Sequence, residues 1–406
     1  MIGRHKQDFD KTYSHLSGLD LNIDFPLIEI ERFHWRRGEW NDGYYSYHYR
    51  RFTSHILSRL QLAEGQSVLV VGCGFGFDEK NIKSLFPDID LWSIDISEEM
   101  LKLAVSSRSP GRFALAVAEN LPFPDYAFDR VLAREVIEHV ISSRTMLKEI
   151  HRVLRPEGIA VVTTENEESL GPTNYYDFRL RERLADLLNF PLPSPEYRDQ
   201  APSLGEIKGM IGEVNLVLSE YFWDGALYKY LIEISPWVRS RMSQLAHFFS
   251  CLENHRILAN LFCDQIKYVL QKGDENLILN PSSKVHYACV YCGSRLIQEN
   301  GRHSCSECKH EYPVKDGIVN FIPDRILEGI EEAVTSPVGQ VRQGGSPKIG
   351  RRLFPKVNQI VRALYCGAYL LMALLATLFV KKNRDPLSGL LSPDDPYQKY
   401  LTIPKK

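Results

Sequence analysis

The sequence predicts an α/β fold: a doubly wound, mostly parallel sheet, followed by a small cysteine-knuckle module and an apolar helix near the C-terminus. Three observations carry this expectation. Val68-Leu69-Val70-Val71 runs straight into glycines at alternate positions, Gly72, Gly74 and Gly76, the pattern of a buried parallel strand stopped by a tight turn. Strand-like and helix-like segments then alternate as far as residue 165, as a parallel sheet with crossover helices requires. Two Cys-x-x-Cys pairs, Cys289/Cys292 and Cys305/Cys308, with 12 residues between them, mark a separate later module.

A chain of 406 residues has room for two or three domains. Its 44% apolar and 25% charged residues are those of an ordinary globular protein, and a formal charge of −2 exerts no general pull on nucleic acid or acidic membranes. The N-terminal MIGRHKQDFDK lacks the apolar run of a secretory signal. Outside the two knuckles the cysteines are single (Cys73, Cys251, Cys263 and Cys366), a usage that fits a reducing compartment better than a disulfide framework.

Taken in order, residues 1–54 form an N-terminal helical, aromatic-rich cap, with Phe33-His34-Trp35 and Tyr44-Tyr45-Ser46-Tyr47 as a lid over a ligand or as packed surface. An amphipathic helix over 55–63 leads through Glu64-Gly65-Gln66 into the glycine strand. A helix over 80–86 stops at Pro87, and a second strand over 91–95 ends in Asp95. Strand, glycine turn, helix, strand and terminal acid make up a nucleoside-binding βαβ unit, in which a carboxylate about 20 residues past the glycines accepts bonds from ribose hydroxyls. The plainer role for Asp95 is capping the helix that follows. Further on come a helix over 98–106, strands over 113–117 and 128–133, a helix over 136–154 and a strand over 159–164. Residues 166–272 read as an insert with helices over 175–188, 204–211 and 227–249, and as the last strands of the sheet over 216–222 and 261–270. Tyr175, Tyr176 and Trp223 line a pocket there or belong to the core.

Five segments together, VLVVGCGFG (68–76), SIDIS (93–97), AENLPFPDYAFDRV (118–131), EVIEHV (135–140) and LKEIHRVLRPEGIAVV (147–162), resemble the S-adenosylmethionine-dependent methyltransferases with the seven-stranded Rossmann-like fold, especially those acting on small molecules and lipids. The resemblance implies that Gly72, Cys73, Gly74 and Gly76 wrap the methionine and ribose part of the cofactor, that Asp95 with Ile96 holds the ribose, and that Ala118, Glu119 and Asn120 lie by the adenine. It puts Arg134 and Glu135 at the end of the fourth strand, facing the reacting methyl group. The sulfonium already activates that methyl, so the protein has mainly to align an acceptor and remove a proton. His139 and Glu135, expected together at one helix start, are the residues for this, although a histidine in a Glu-His-Val run also serves packing. Two positions depart from the family's pattern: Val70 and Val117 stand where it has acids.

Cys289, Cys292, Cys305 and Cys308 have the spacing of a closed tetrahedral, structural Zn2+ site. The segment after them, to Pro323, resembles the end of the small zinc-ribbon proteins that activate methyltransferases. The expected domains are thus a cap (1–54), a methyltransferase domain (55–272, insert 166–260), a ribbon (284–323), a linker (324–356), a hydrophobic helix (357–382) and a tail (383–406). Residues 363–380 are uncharged, the lower length limit for a bilayer span. They predict a membrane partner and a location on the cytoplasmic side of a membrane, anchored by this helix. The expected activity is methyl transfer to an O, N or C acceptor, a small or lipid-linked molecule at that membrane. The alternatives are an RNA or protein methyltransferase docked by the ribbon, and a non-catalytic assembly protein of the same fold. Lys309, His310 and Lys315 are too few to form a nucleic-acid-binding patch.

Overall fold

The computed structural model describes residues 43–140, 142–171, 175, 201–227, 248–273, 284–299, 301–322 and 350–381. The expected insert helices over 175–188 and 227–249, the linker and the tail lie wholly or mostly outside these residues, as does most of the cap.

Helix α1 (Gly43–Leu60) precedes β1 (Ser67–Val71), α2 (Phe77–Leu85), β2 (Asp90–Asp95), α3 (Glu98–Ser106) and β3 (Arg112–Leu115). Then come β4 (Phe128–Arg134), α4 (Ser143–Val153), β5 (Leu154–Glu165), α5 (Leu204–Glu213), β6 (Leu216–Ala226), α6 (Arg256–Phe262) and β7 (Cys263–Lys272). These seven strands are ordered β6-β7-β5-β4-β1-β2-β3. Strands β3, β2, β1, β4 and β5 are parallel, while β7 runs antiparallel to both of its neighbours. The chain goes outward from β1 through β2 to β3, then returns to β4 on the other side of β1. The order therefore reverses between β1 and β4, where a doubly wound sheet opens its ligand crevice.

Alternation along β1 shows how both faces become core. Val68 and Val70 join Phe52, Ile56, Leu57 and Leu60 of α1 on one face. Leu69 and Val71 join Met146, Leu147 and Ile150 of α4 on the other. Period-2 side chains in the strand meet the 3.6-period stripe of the helix, and each buried Leu or Ile contributes about 1.5–3 kcal/mol by leaving water.

Two expectations about elements are corrected. Residues 136–140 form a turn and a bend rather than the start of a helix, and Ser142 caps α4 by accepting a hydrogen bond from Thr145 N. The cysteine module, expected as a separate ribbon, is continuous with the main sheet. Its strands β8 (Leu296–Glu299), β9 (Arg302–Cys305), β10 (Glu311–Lys315) and β11 (Ile318–Asn320) extend the sheet to eleven strands, with β11 pairing parallel to β3. Tyr287 fills the joint, edge-on to Trp92 at 4.9 Å and stacked on Phe123 at 5.7 Å.

The membrane-anchored location is also corrected. Among the described residues no helix is long and apolar enough to cross a membrane. Helix α7 (Gly350–Lys381) instead lays a stripe of residues four apart against the domain: Tyr369, Ala373 and Thr377 are fully buried. Tyr365 Oη donates to Leu170 O at 2.8 Å and Tyr369 Oη to Phe262 O at 3.4 Å. The uncharged run thus packs on protein along one side, and two tyrosine hydroxyls find backbone acceptors there.

Candidate functional site

The glycine turn lies at the reversal point. All three glycines have positive φ, +69° at Gly72, +52° at Gly74 and +82° at Gly76, a region that side-chain-bearing residues rarely adopt. Gly72 and Gly76 are needed for close packing as well, since a Cβ would lie 2.2 Å from Val136 Cγ2 at the first and 2.2 Å from Ser109 Oγ at the second. At Gly74 nothing lies within 4 Å of that point. The middle glycine therefore faces open space, and a ligand can approach its backbone. Cys73, between them, is buried: its amide donates to Ile94 O, its thiol is turned into the core with Val70 and Leu132, and burial pushes the thiol's pKa well up.

Asp95 closes the β2 side of the turn. Its Oδ2 accepts from Gly74 N and its Oδ1 from Ser97 N, both at 2.8 Å. Burial raises its pKa and these amide donors oppose the rise. The Ile96 amide adds a third donor, and an ionised carboxylate has about four lone-pair sites, so capacity remains for a further donor such as a hydroxyl. Ile96 is half-buried beside it. His139 lies close enough to favour the Asp95 anion.

On the β4 side Arg134 is enclosed by aromatic rings, 4.7 Å from Phe52 and 5.5 Å from Phe77. Its Nη2 donates to Thr53 Oγ1 at 3.0 Å and is 2.9 Å from Asp78 Oδ1. Next to Asp78, Glu79 is fully buried, accepts from Ser93 Oγ at 2.6 Å, and has its pKa pushed up to about 8, chiefly by burial. Asp78 Oδ1, Glu79 Oε2 and Arg134 Nε are buried and have no hydrogen-bond partner.

The remaining expected residues fall in two places. Ala118 is buried in the core, Glu119 Oε1 accepts from Ser142 N at 3.4 Å, and Asn120 Nδ2 donates to Val290 O inside the first cysteine knuckle at 3.4 Å. Glu135 has φ +52° and its carboxylate accepts from Thr163 Oγ1 at 2.8 Å. Glu135 and His139, expected together at a helix start, are thus drawn to different sides, one toward β5 and the other toward Asp95.

Sequence reasoning missed Glu138 as well as Glu79. Glu138 is buried, accepts from Thr164 Oγ1 at 3.1 Å, and is held well above the usual carboxylate range by burial and then by the Glu135 and Glu165 charges. It also missed the pair of Lys267 and Asp224, which lie 0% and 1% exposed under Phe52, with His55 Nδ1 3.0 Å from Asp224 Oδ2. One signal was available for the latter, a lone lysine in the otherwise buried strand CDQIKYVL.

The four cysteine sulfurs lie within 4.8 Å of one another, with Cys289–Cys308 at 3.3 Å and Cys292–Cys305 at 3.5 Å. Zinc–sulfur bonds of about 2.3 Å in a tetrahedron put sulfurs roughly 3.8 Å apart. Tyr312 Oη is 3.0 Å from Cys289 Sγ and His310 Nδ1 is 3.2 Å from Cys308 Sγ, the outer partners that orient thiolate ligands. The cluster fits a tetrahedral metal of the zinc type.

A doubly wound sheet with an acid-closed glycine turn at its reversal point defines a nucleoside-cofactor domain. Residues 69–162 match the family described as a methyltransferase domain. The chain is similar to an O-methyltransferase of Penicillium expansum, cnsE, at 31% identity over 36% of this chain and 53% of that protein. It is similar to the demethylmenaquinone methyltransferase of Geobacillus kaustophilus at 30% identity, over 32% of this chain and 59% of that one. The chain spans about half the length of such curated relatives. Among solved structures, phosphoethanolamine N-methyltransferase 2 of Haemonchus contortus, in complex with S-adenosyl-L-methionine, is 16% identical with a TM-score of 0.38 over 60% of each chain.

Proposed function

We propose that this chain transfers the methyl group of S-adenosylmethionine to an O, N or C atom of a small, lipid-like acceptor. The observation that carries the reading is the turn itself: Gly74 faces open space while its amide fixes a buried carboxylate, Asp95, that keeps free acceptor capacity. In this reading Asp95 holds the ribose, Gly72, Gly74 and Gly76 let the backbone approach the thioether, and Ala118, Glu119 and Asn120 border the adenine. Two relatives named for demethylmenaquinone and for 2-methyl-6-phytyl-1,4-hydroquinone support an apolar aromatic acceptor.

The bound cofactor supplies an already activated methyl group on a sulfonium. The chain's own tasks are orientation, exclusion of water and proton removal. Glu135, held by Thr163, is the base for the acceptor's proton, next to Glu138, whose carboxyl burial holds well above the usual carboxylate range. His139 supports Asp95. Cys289, Cys292, Cys305 and Cys308 hold one structural Zn2+.

Calorimetry with S-adenosylhomocysteine, transfer of radiolabelled methyl groups to quinol, lipid and RNA fractions, and zinc analysis test these points together. Absence of cofactor binding would sink the reading. Label confined to RNA would replace the acceptor class. Glu135→Gln should lower transfer about a hundredfold with S-adenosylhomocysteine affinity unchanged.

A further inference from the structure

Helix α7 has a second face that the domain does not use. Tyr369, Ala373 and Thr377 turn inward and are fully buried. On the other side Leu364 is 70% exposed, Leu371 58%, Leu375 59% and Leu378 61%. With 3.6 residues per turn, all four lie within about 40° of the line opposite Ala373. Ala368, also exposed, completes the row. Leu364, Ala368, Leu371, Leu375 and Leu378 thus follow one another at spacings of four, three, four and three, the alternation by which two helices interlock knobs into holes. No charged residue stands between Arg362 and Lys381, so nothing along the row repels a like surface. With Met372 and Leu374 beside it, the face leaves on the order of 600 Å² of apolar surface in water, the upper end of what a monomer exposes. Two such faces pressed together bury about 1,200 Å², which reaches the lower bound of a specific interface.

The row is also complementary to itself. Around a two-fold axis at Leu371, with the helices antiparallel, Leu364 meets Leu378 of the second copy and the small Ala368 meets its large Leu375. A parallel pair would set Ala368 against Ala368 and leave a void there, which close-packed interfaces avoid. We propose that α7 is a dimerisation helix, through which two copies of this chain pair antiparallel along Leu364, Ala368, Leu371, Leu375 and Leu378. Such an isologous two-fold contact closes on itself and needs no second surface. Two heptads are short for helices that must fold as they pair. Here α7 is already held on its inner side, where Tyr365 and Tyr369 donate to backbone carbonyls of the domain, so pairing has little left to order.

Sedimentation velocity of the full chain across the micromolar range should show a monomer–dimer equilibrium. Leu371→Glu with Leu375→Glu places like charges across the pair and should raise the dissociation constant about a hundredfold, with circular dichroism unchanged because both side chains are exposed. Leu364→Glu alone and Leu378→Lys alone should each weaken the dimer. Combined in one chain they face each other across an antiparallel pair, and association should recover about tenfold over either single variant. That recovery also guards against misfolding, since only folded, paired helices can give it. A chain that is monomeric throughout the range overturns the proposal, including one that is monomeric yet co-sediments with phosphatidylglycerol vesicles. A dimer indifferent to Leu371→Glu with Leu375→Glu uses another surface and overturns it too. A charge pair that recovers nothing overturns the antiparallel arrangement.

Discussion

Burial sets Glu79 and Lys267 against each other along the pH axis. A carboxyl whose folded pKa lies above its unfolded value binds its proton more tightly in the folded state, so stability falls as pH rises between the two values. For Glu79 that window runs from 4.5 to about 8. Glu79→Gln should flatten the fall, and urea unfolding at pH 5 and pH 8 would show it as a gain on the order of a few kcal/mol at the higher pH. Lys267 has the opposite sign: its folded pKa, lowered to about 8 from 10.5 mainly by burial, makes stability rise with pH across that interval. Replacing it alone by Met takes the lysine charge away from the buried Asp224 carboxylate, and should cost about 3–5 kcal/mol in denaturant unfolding. Lys267→Met with Asp224→Leu should recover much of the loss. These residues also mark where sequence reading stopped. Asp95 and Gly74 were legible because a strand-end acid and a glycine turn have fixed spacing. Asp78 and Glu79 stand just before the helix expected over 80–86, and only three-dimensional packing shows them enclosed in the first turn of α2.

At the level of elements, the α3 helix was legible over 98–106, with Asp95 read as its plainer cap, whereas the cap is Ser97, whose Oγ accepts from Met100 N. The segment 136–140 was misread because Val136, Ile137 and Val140 continue the apolar spacing of α4, whereas Ser142 caps the helix later. The pairing of β11 with β3 was not legible at all, since no local pattern encodes a partner so far along the chain. It has a measurable effect on the site. Phe321 N donates to Leu115 O, Ala288 N donates to Pro122 O and Asn120 bonds Val290 between two cysteines, so the knuckles grip both ends of residues 116–122. Cys305→Ser, or removal of metal by a strong chelator, should raise amide hydrogen exchange in that segment and weaken S-adenosylhomocysteine binding. An unchanged exchange pattern there would show that the grip is slack. In α7, Tyr369→Ala should cost about 3–5 kcal/mol, the range for emptying a buried aromatic site.

Across the whole molecule, the fold class and the parallel order followed from alternating strands and helices, while the sheet's full width did not. Eleven strands in one hydrogen-bonded ladder tie the cysteine module to the nucleoside half. Scanning calorimetry should therefore show a single endotherm that moves to lower temperature on chelation. Two separate transitions would mean that the ladder joint is weaker than its pairing suggests. During synthesis the same joint has another meaning. Strand β3 leaves the ribosome about 200 residues before its partner β11. At roughly 5–20 residues per second its backbone edge stands open for about 10–40 s. An uncovered edge invites pairing with strands of other nascent chains. With the four cysteines holding Zn2+ as proposed above, metal supply during translation would set how many new chains escape that mispairing.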